Sequence, residues 1–204
     1  MNRAELKNIS RAQISGKIGI LFLITLIVGL VSVAAGVLLA RVPGGSIVAA
    51  VIVTPAFSLS MVKVYLTVAN GEKPVVGDSF SGFSDFWAAF KVTFLVGLFT
   101  FLWSLLFVIP GIIKAFSYSM SMYILAENKS KPALECINES KEMTNGHKMD
   151  LFVLGLSFIG WALLGAITLG IAYIWVMPYM QTTFTNAYKS LKGNQAVVDA
   201  PIAE

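Results

Sequence analysis

The stretch Pro110 to Ala126, PGIIKAFSYSMSMYILA, decides how the chain is read. It is apolar enough to lie in a bilayer, yet it carries Lys114, Ser117, Ser119 and Ser121. Lys114, Ser117, Tyr118 and Ser121 recur at helical spacing and share one face. A polar stripe on a membrane helix turns toward other helices or toward water, because acyl chains offer it no partner. Pro110-Gly111 separates this helix from the apolar run before it, so the two read as a hairpin turned at that dipeptide.

The composition points the same way. Of 204 residues, 56% are hydrophobic and 13% charged, against about 25% charged in an average soluble domain. A soluble fold of this length cannot hide so much apolar surface. The net charge of +4 fits the basic loops of a membrane protein and does not call for nucleic acid. The single cysteine, Cys136, excludes an internal disulfide and shows no metal-ligand spacing. The single histidine, His147, sits beside Lys148 at a loop end and reads as an interfacial side chain.

Working outward, residues 17–40, 46–68, 92–109, 111–126, 151–169 and 171–188 read as six spans. The expected fold is all-α: a polytopic membrane protein of three hairpins, with interfacial amphipathic helices at 1–17 and within 70–91. Residues 1–192 form one integral membrane domain, and 193–204 read as a loose tail. Pro55 and Pro178 should kink the second and sixth spans. A five-span chain with a re-entrant fourth helix is the competing topology.

The segment MNRAELKNISRAQISGK opens with Asn2 and Glu5 in a capping-box pattern. Arg3, Lys7 and Arg11 recur every four residues, followed by Lys17. These four are the candidate contacts to the anionic inner leaflet, which attracts Lys and Arg at about 1 kcal/mol each. In the 70–91 segment Phe80, Phe83, Trp87 and Phe90 form an aromatic stripe suited to the headgroup level. With the N-terminus inside, nearly all Lys and Arg fall in inner segments and Arg41 alone in an outer turn, with Lys114 near another. Both termini are therefore expected in the cytoplasm.

The second member of each hairpin carries the polar residues. Ser58, Ser60, Lys63, Lys114, Ser117, Ser121, Gln181, Thr182 and Thr185 are the candidate polar cavity, with interhelical glue as the other reading. Pro55 to Tyr65 and Pro178 to Tyr188 share a spacing that suggests a threefold repeat, and chance likeness among apolar helices explains it equally well. Glu135, Glu139 and Glu142 read as a solvated helix face. No nucleotide loop, zinc-protease helix or nucleophile elbow is present, and no acidic residue falls inside a span. No catalytic residue, metal or cofactor is expected. The expected partners are membrane lipids, with a membrane protein or a second copy as further candidates, and no nucleic acid.

The blocks GEKPVVGDSFSGF, PGIIKAFSYSMSMYILAEN, ESKEMTNGHKMDLFVLGLSFIGW and WVMPYMQTTFTNAY together resemble an uncharacterised family of bacterial six-helix membrane proteins, mainly Gram-positive. The resemblance covers nearly the whole chain and implies a plasma-membrane location with no assigned activity. A looser similarity is to the membrane domain beside some glycerophosphodiester phosphodiesterases, whose catalytic domain has no counterpart here. On these grounds the chain is expected to be a non-enzymatic scaffold, accessory or lipid-associated module. The alternative is a small transporter or headgroup translocator with a cytoplasm-facing cavity between spans two, four and six, where Lys63 and Lys114 would attract an anion.

Overall fold

The computed structural model describes residues 2–41 and 43–198. Every regular element among them is helical. α1 (Arg3–Ile14), α2 (Ile18–Leu39) and α3 (Gly45–Ala69) are followed by two 3-10 turns, Val76–Phe80 and Phe83–Asp85. Then come α4 (Phe86–Leu106), α5 (Val108–Tyr118), α6 (Ser121–Glu127), α7 (Ala133–Met143), α8 (Lys148–Leu156), α9 (Ile159–Ile167) and α10 (Tyr173–Val198).

Among the described residues five segments are long and apolar enough to cross a membrane: Ile18–Leu39, Val51–Ala69, Val76–Leu106, Val108–Glu127 and Lys148–Ile167. The expected sixth, α10, is not among them. It is long enough, but past Pro178 its sequence turns polar (QTTFTNAYKS), which dilutes the apolar run. α3 and α10 both run unbroken through their prolines. α10 continues to Val198 where a loose tail was expected from residue 193, and residues 199–204 lie outside the described residues.

The side chains sort into a packed base and an open crown. The core joins Leu21 and Ile24 of α2 to Val64 and Val68 of α3, Ile124 and Leu125 of α6, Cys136 of α7, Leu151 of α8 and Tyr188 of α10. These lie toward the ends that carry the lysines. The opposite ends, around Leu38, Ile47, Phe107 and Leu169, are exposed and apolar, as suits helices whose neighbours are acyl chains.

Two local readings change. The chain between α3 and α4 forms no surface helix. Gly82 seats the second 3-10 turn directly on α3: its N–H donates to Ser60 Oγ at 2.8 Å, and a Cβ there would lie 2.0 Å from the Ala56 carbonyl oxygen. Phe80 and Phe83 consequently pack on Phe57, with Phe57 and Phe83 edge to face at 5.1 Å, while Trp87 stays exposed. Second, the α4–α5 hairpin turns at Phe107, the one extended residue between the helices. Pro110 sits in the first turn of α5, where its missing N–H costs nothing. Gly111 lets the helices touch, since a Cβ would meet Ser104 Oγ at 2.1 Å. α7 keeps the expected solvated face, with Glu135 and Glu142 exposed and Glu139 partly so, and buries Cys136, Ile137, Ser140 and Met143 on the other.

Candidate functional site

The opening stretch is a broken helix. α5 stops at Tyr118, α6 starts at Ser121, and Ser119-Met120 form the joint. The serine run explains the break locally. Ser117 Oγ donates to the Ile113 carbonyl (2.9 Å) and Ser119 Oγ to the Phe116 carbonyl (2.8 Å), so hydroxyls compete for backbone acceptors. The freed backbone groups are met by α7. Ser140 Oγ accepts from Met120 N–H (3.1 Å) and donates to the Ser117 carbonyl (2.8 Å), which Thr144 Oγ1 also reaches at 3.3 Å. Ser140 of α7 and Thr144, which follows its last residue, are both fully buried.

Beside this joint lies a cavity of about 1010 Å³. α2 contributes Ser32 and Gly36, α3 Thr54, Phe57, Ser58 and Met61, and α4 Thr93 and Gly97. The break contributes Tyr118 to Tyr123, and α10 contributes Gln181 and Phe184. No described residue on its wall is charged. Hydroxyls alternate with methionine and aromatic side chains, a lining suited to an uncharged ligand with one polar end. Two wall hydroxyls, Thr93 Oγ1 and Ser121 Oγ, are buried without a hydrogen-bond partner. Ser79, Thr100, Tyr179 and Thr182, away from the wall, carry buried hydroxyls in the same condition. A Cβ on Gly36 or Gly97 would meet nothing within 4 Å, so these glycines leave the cavity its width.

Of the expected cavity residues, Ser58, Ser121 and Gln181 line this space. Ser60 is instead tied to Gly82 N–H, and Ser117 is buried under α7. Thr182 and Thr185 are buried within the bundle, Thr185 Oγ1 donating to the Gln181 carbonyl at 2.9 Å. Neither lysine reaches the cavity. Lys63 Nζ donates to Asp85 Oδ2 (2.8 Å) and to the Ser81 carbonyl (2.9 Å), so it is not the free cation that attracting an anion would need. Asp85 precedes α4, 22 positions away, and only the 3-10 turns bring it back to α3. Lys114 lies over the Trp103 ring, 4.5 Å from its centroid. The wall is shared by α2, α3, α4, the α5–α6 joint and α10, rather than by spans two, four and six alone.

The candidate lipid contacts of α1 are engaged by protein. Asn2 caps the helix as expected. α1 then docks on α10, where Asn186 Nδ2 donates to Ser10 Oγ (2.9 Å) and Gln13 Oε1 (2.6 Å). Lys17 is buried and donates to the Gly71 carbonyl at 2.9 Å. Lys7 lies 4.7 Å from the centroid of Phe158 and Arg11 5.2 Å from that of Tyr179. Partial burial, and then the charge of Arg11, hold the Lys7 ammonium below its ordinary pKa. Arg3 approaches Asp150 at 3.9 Å, and His147 Nδ1 lies 3.3 Å from the same carboxylate.

Ser32, Thr93 and Ser140 carry weight that their sequence context did not signal. The first two are lone hydroxyls in apolar runs, and Ser140 is one polar residue in a polar helix. Tyr118 and Ser119 stood within the Pro110–Ala126 stretch, and their contribution was legible in kind.

No curated protein and no solved structure matches the chain. The looser likeness to the phosphodiesterase membrane domain therefore gains no support. The family described as "Protein of unknown function (DUF975)" matches residues 1–115 and 105–195, nearly the whole sequence. The chain, an all-helical protein with several helices apolar enough to span a membrane, belongs to that family.

Proposed function

We propose that this chain is a non-enzymatic, multi-pass protein of the bacterial plasma membrane that holds an uncharged amphipathic molecule of the lipid class beside the α5–α6 joint. The observation that carries this reading is the wall itself: uncharged throughout its described residues, with serine and threonine interleaved among methionine and aromatic side chains. A volume of about 1010 Å³ has room for about thirty water-sized groups, the scale of an acyl chain with a small polar head. The exposed crown supports lateral entry from the bilayer, since Thr54 and Gly97 on the wall are themselves exposed.

Six passes with both termini on the cytoplasmic side remain the favoured topology. Lys189 Nζ donates to the Ala69 carbonyl (3.0 Å) and to Asn70 Oδ1 (2.9 Å), which supports a return of α10 to the basic face where α1 docks. The apolar first half of α10 would then cross in company with α9, and its polar second half would lie in the base.

Translocation of the same ligand is a second reading, favoured by one feature. A helix interrupted beside a cavity is a recurrent arrangement in transporters. An anionic substrate drawn by Lys63 is disfavoured by the Asp85 pairing.

Dioctanoylglycerol titrated into delipidated protein tests the proposal. At a hundredfold excess over Kd, binding stabilises by about 2.7 kcal/mol, or roughly 5–10 °C in Tm for a chain of this size. Gly97→Leu, which fills the cavity, should abolish the shift while leaving the unliganded Tm within about 2 °C. An equal shift in both proteins, or none in the parent, would overturn it.

A further inference from the structure

A second cavity, of about 610 Å³, lies between the first half of α4 and the start of α7. Its walls are Phe90, Phe94 and Leu95 on one side and the segment from Lys129 to Leu134 on the other. Phe86, Phe90 and Phe94 stack along α4 with centroids 6.0 and 5.9 Å apart, an apolar track running away from the base. Lys91, Lys129 and Lys131 stand at its rim.

The charges there do not cancel. Lys63 and Lys129 share one carboxylate oxygen, Asp85 Oδ2, at 2.8 and 3.0 Å. Lys91 is exposed and makes no ion pair among the described residues. Lys131 is taken by Glu139, with Glu135 also near it. Lys63, Lys91, Lys129 and Lys131 thus stand against three carboxylates, Asp85, Glu135 and Glu139, and the excess positive charge is that of Lys91. A cationic rim beside an apolar track on a membrane-spanning helix matches a molecule with a phosphate at one end and an acyl chain at the other.

We infer that this groove is a binding site for one anionic phospholipid, its phosphate at Lys91 and Lys129 and one acyl chain along Phe90, Phe94 and Leu95. The site is separate from the uncharged cavity and stands or falls independently of it. An anionic lipid seated here would brace the α3–α4 connection, because Lys129 already bridges the 127–132 segment to Asp85.

Native mass spectrometry of the delipidated full chain, titrated with dioctanoyl phosphatidylglycerol, dioctanoyl phosphatidylcholine or free glycerol phosphate, tests the inference. Phosphatidylglycerol should bind at one copy per chain, with phosphatidylcholine at least about tenfold weaker. At about 1 kcal/mol per lysine near an anionic headgroup, Lys91→Gln with Lys129→Gln should weaken phosphatidylglycerol by about 30-fold. Lys141→Gln, on the exposed face of α7 and outside the groove, should leave it unchanged. Both lysines of the double variant are exposed, and continued protection of Cys136 from maleimide would verify its fold. Equal binding of the two lipids overturns the inference. So does a double variant within twofold of the parent, or glycerol phosphate competing as well as the lipid, which would leave the apolar track without a role.

Discussion

Ser140 holds the helix break in place, and its removal gives the sharpest test of how the joint is built. In Ser140→Ala the Met120 N–H loses its acceptor at 3.1 Å and the Ser117 carbonyl its donor at 2.8 Å; Thr144 Oγ1, 3.3 Å away, can replace that donor only by turning its one hydrogen from the Ser140 carbonyl, at 2.8 Å. The site is fully buried, so water does not replace the lost hydroxyl. An unsatisfied buried N–H costs about 1–3 kcal/mol, which for a chain of this length lowers Tm by roughly 4–8 °C at the middle of that range. Thr144→Val should cost less, because Ser140 still serves Ser117 at 2.8 Å. The double variant also removes the hydroxyl that could turn to that carbonyl, so its loss should exceed the sum of the single losses by about 1 kcal/mol. Thermal unfolding of the four proteins in one detergent, followed by tryptophan fluorescence, measures the cycle. A Ser140→Ala shift under about 1 °C, or strict additivity, would refute the claim that α7 caps the joint.

Two further outcomes are expected. Asp85→Ala leaves Lys63, whose side chain is 16% exposed, and Lys129 without their shared partner. It should cost about 1–3 kcal/mol, discounted from the value of a fully buried pair, and Lys63→Met in the same chain should restore part of the loss in a thermal unfolding assay. Cys136 is buried, and burial raises its thiol pKa against the opposing pull of Lys131, so less thiolate exists at any given pH. Maleimide should label it negligibly in the folded protein at pH 7–8 and completely in denaturing detergent. Labelling at similar rates in both would show that α7 is not packed as described.

The helical class and the inward aim of the polar stripes were legible because a 3.6-residue period reports directly which face of a helix avoids lipid. Ser58 and Gln181 do line the cavity, and Ser117 is buried. Local chemistry was readable too: Asn2 caps α1. Partners distant in sequence were not readable. Nothing in the order of residues couples Lys63 to Asp85, Ser140 to Met120, or Lys7 to Phe158. Those pairs exist because the segment between α3 and α4 folds back on α3, and because α1 and α7 dock against the bundle. The aromatic stripe misled for the same reason. Its period fits a surface helix, but Gly82 permits a close seat on α3 that turns Phe80 and Phe83 toward Phe57. The sixth span stood on apolar character that ends at Pro178, and the polar residues beyond it serve contacts in the base.

The central claim is that the uncharged cavity holds a neutral lipid-class molecule. The most direct measurement weighs what the protein carries when it is lifted gently from its own membrane. Native mass spectrometry should find one uncharged adduct per chain on the parent protein and none on Gly97→Leu. Identical uncharged adducts on both proteins, or none on either, would contradict the account.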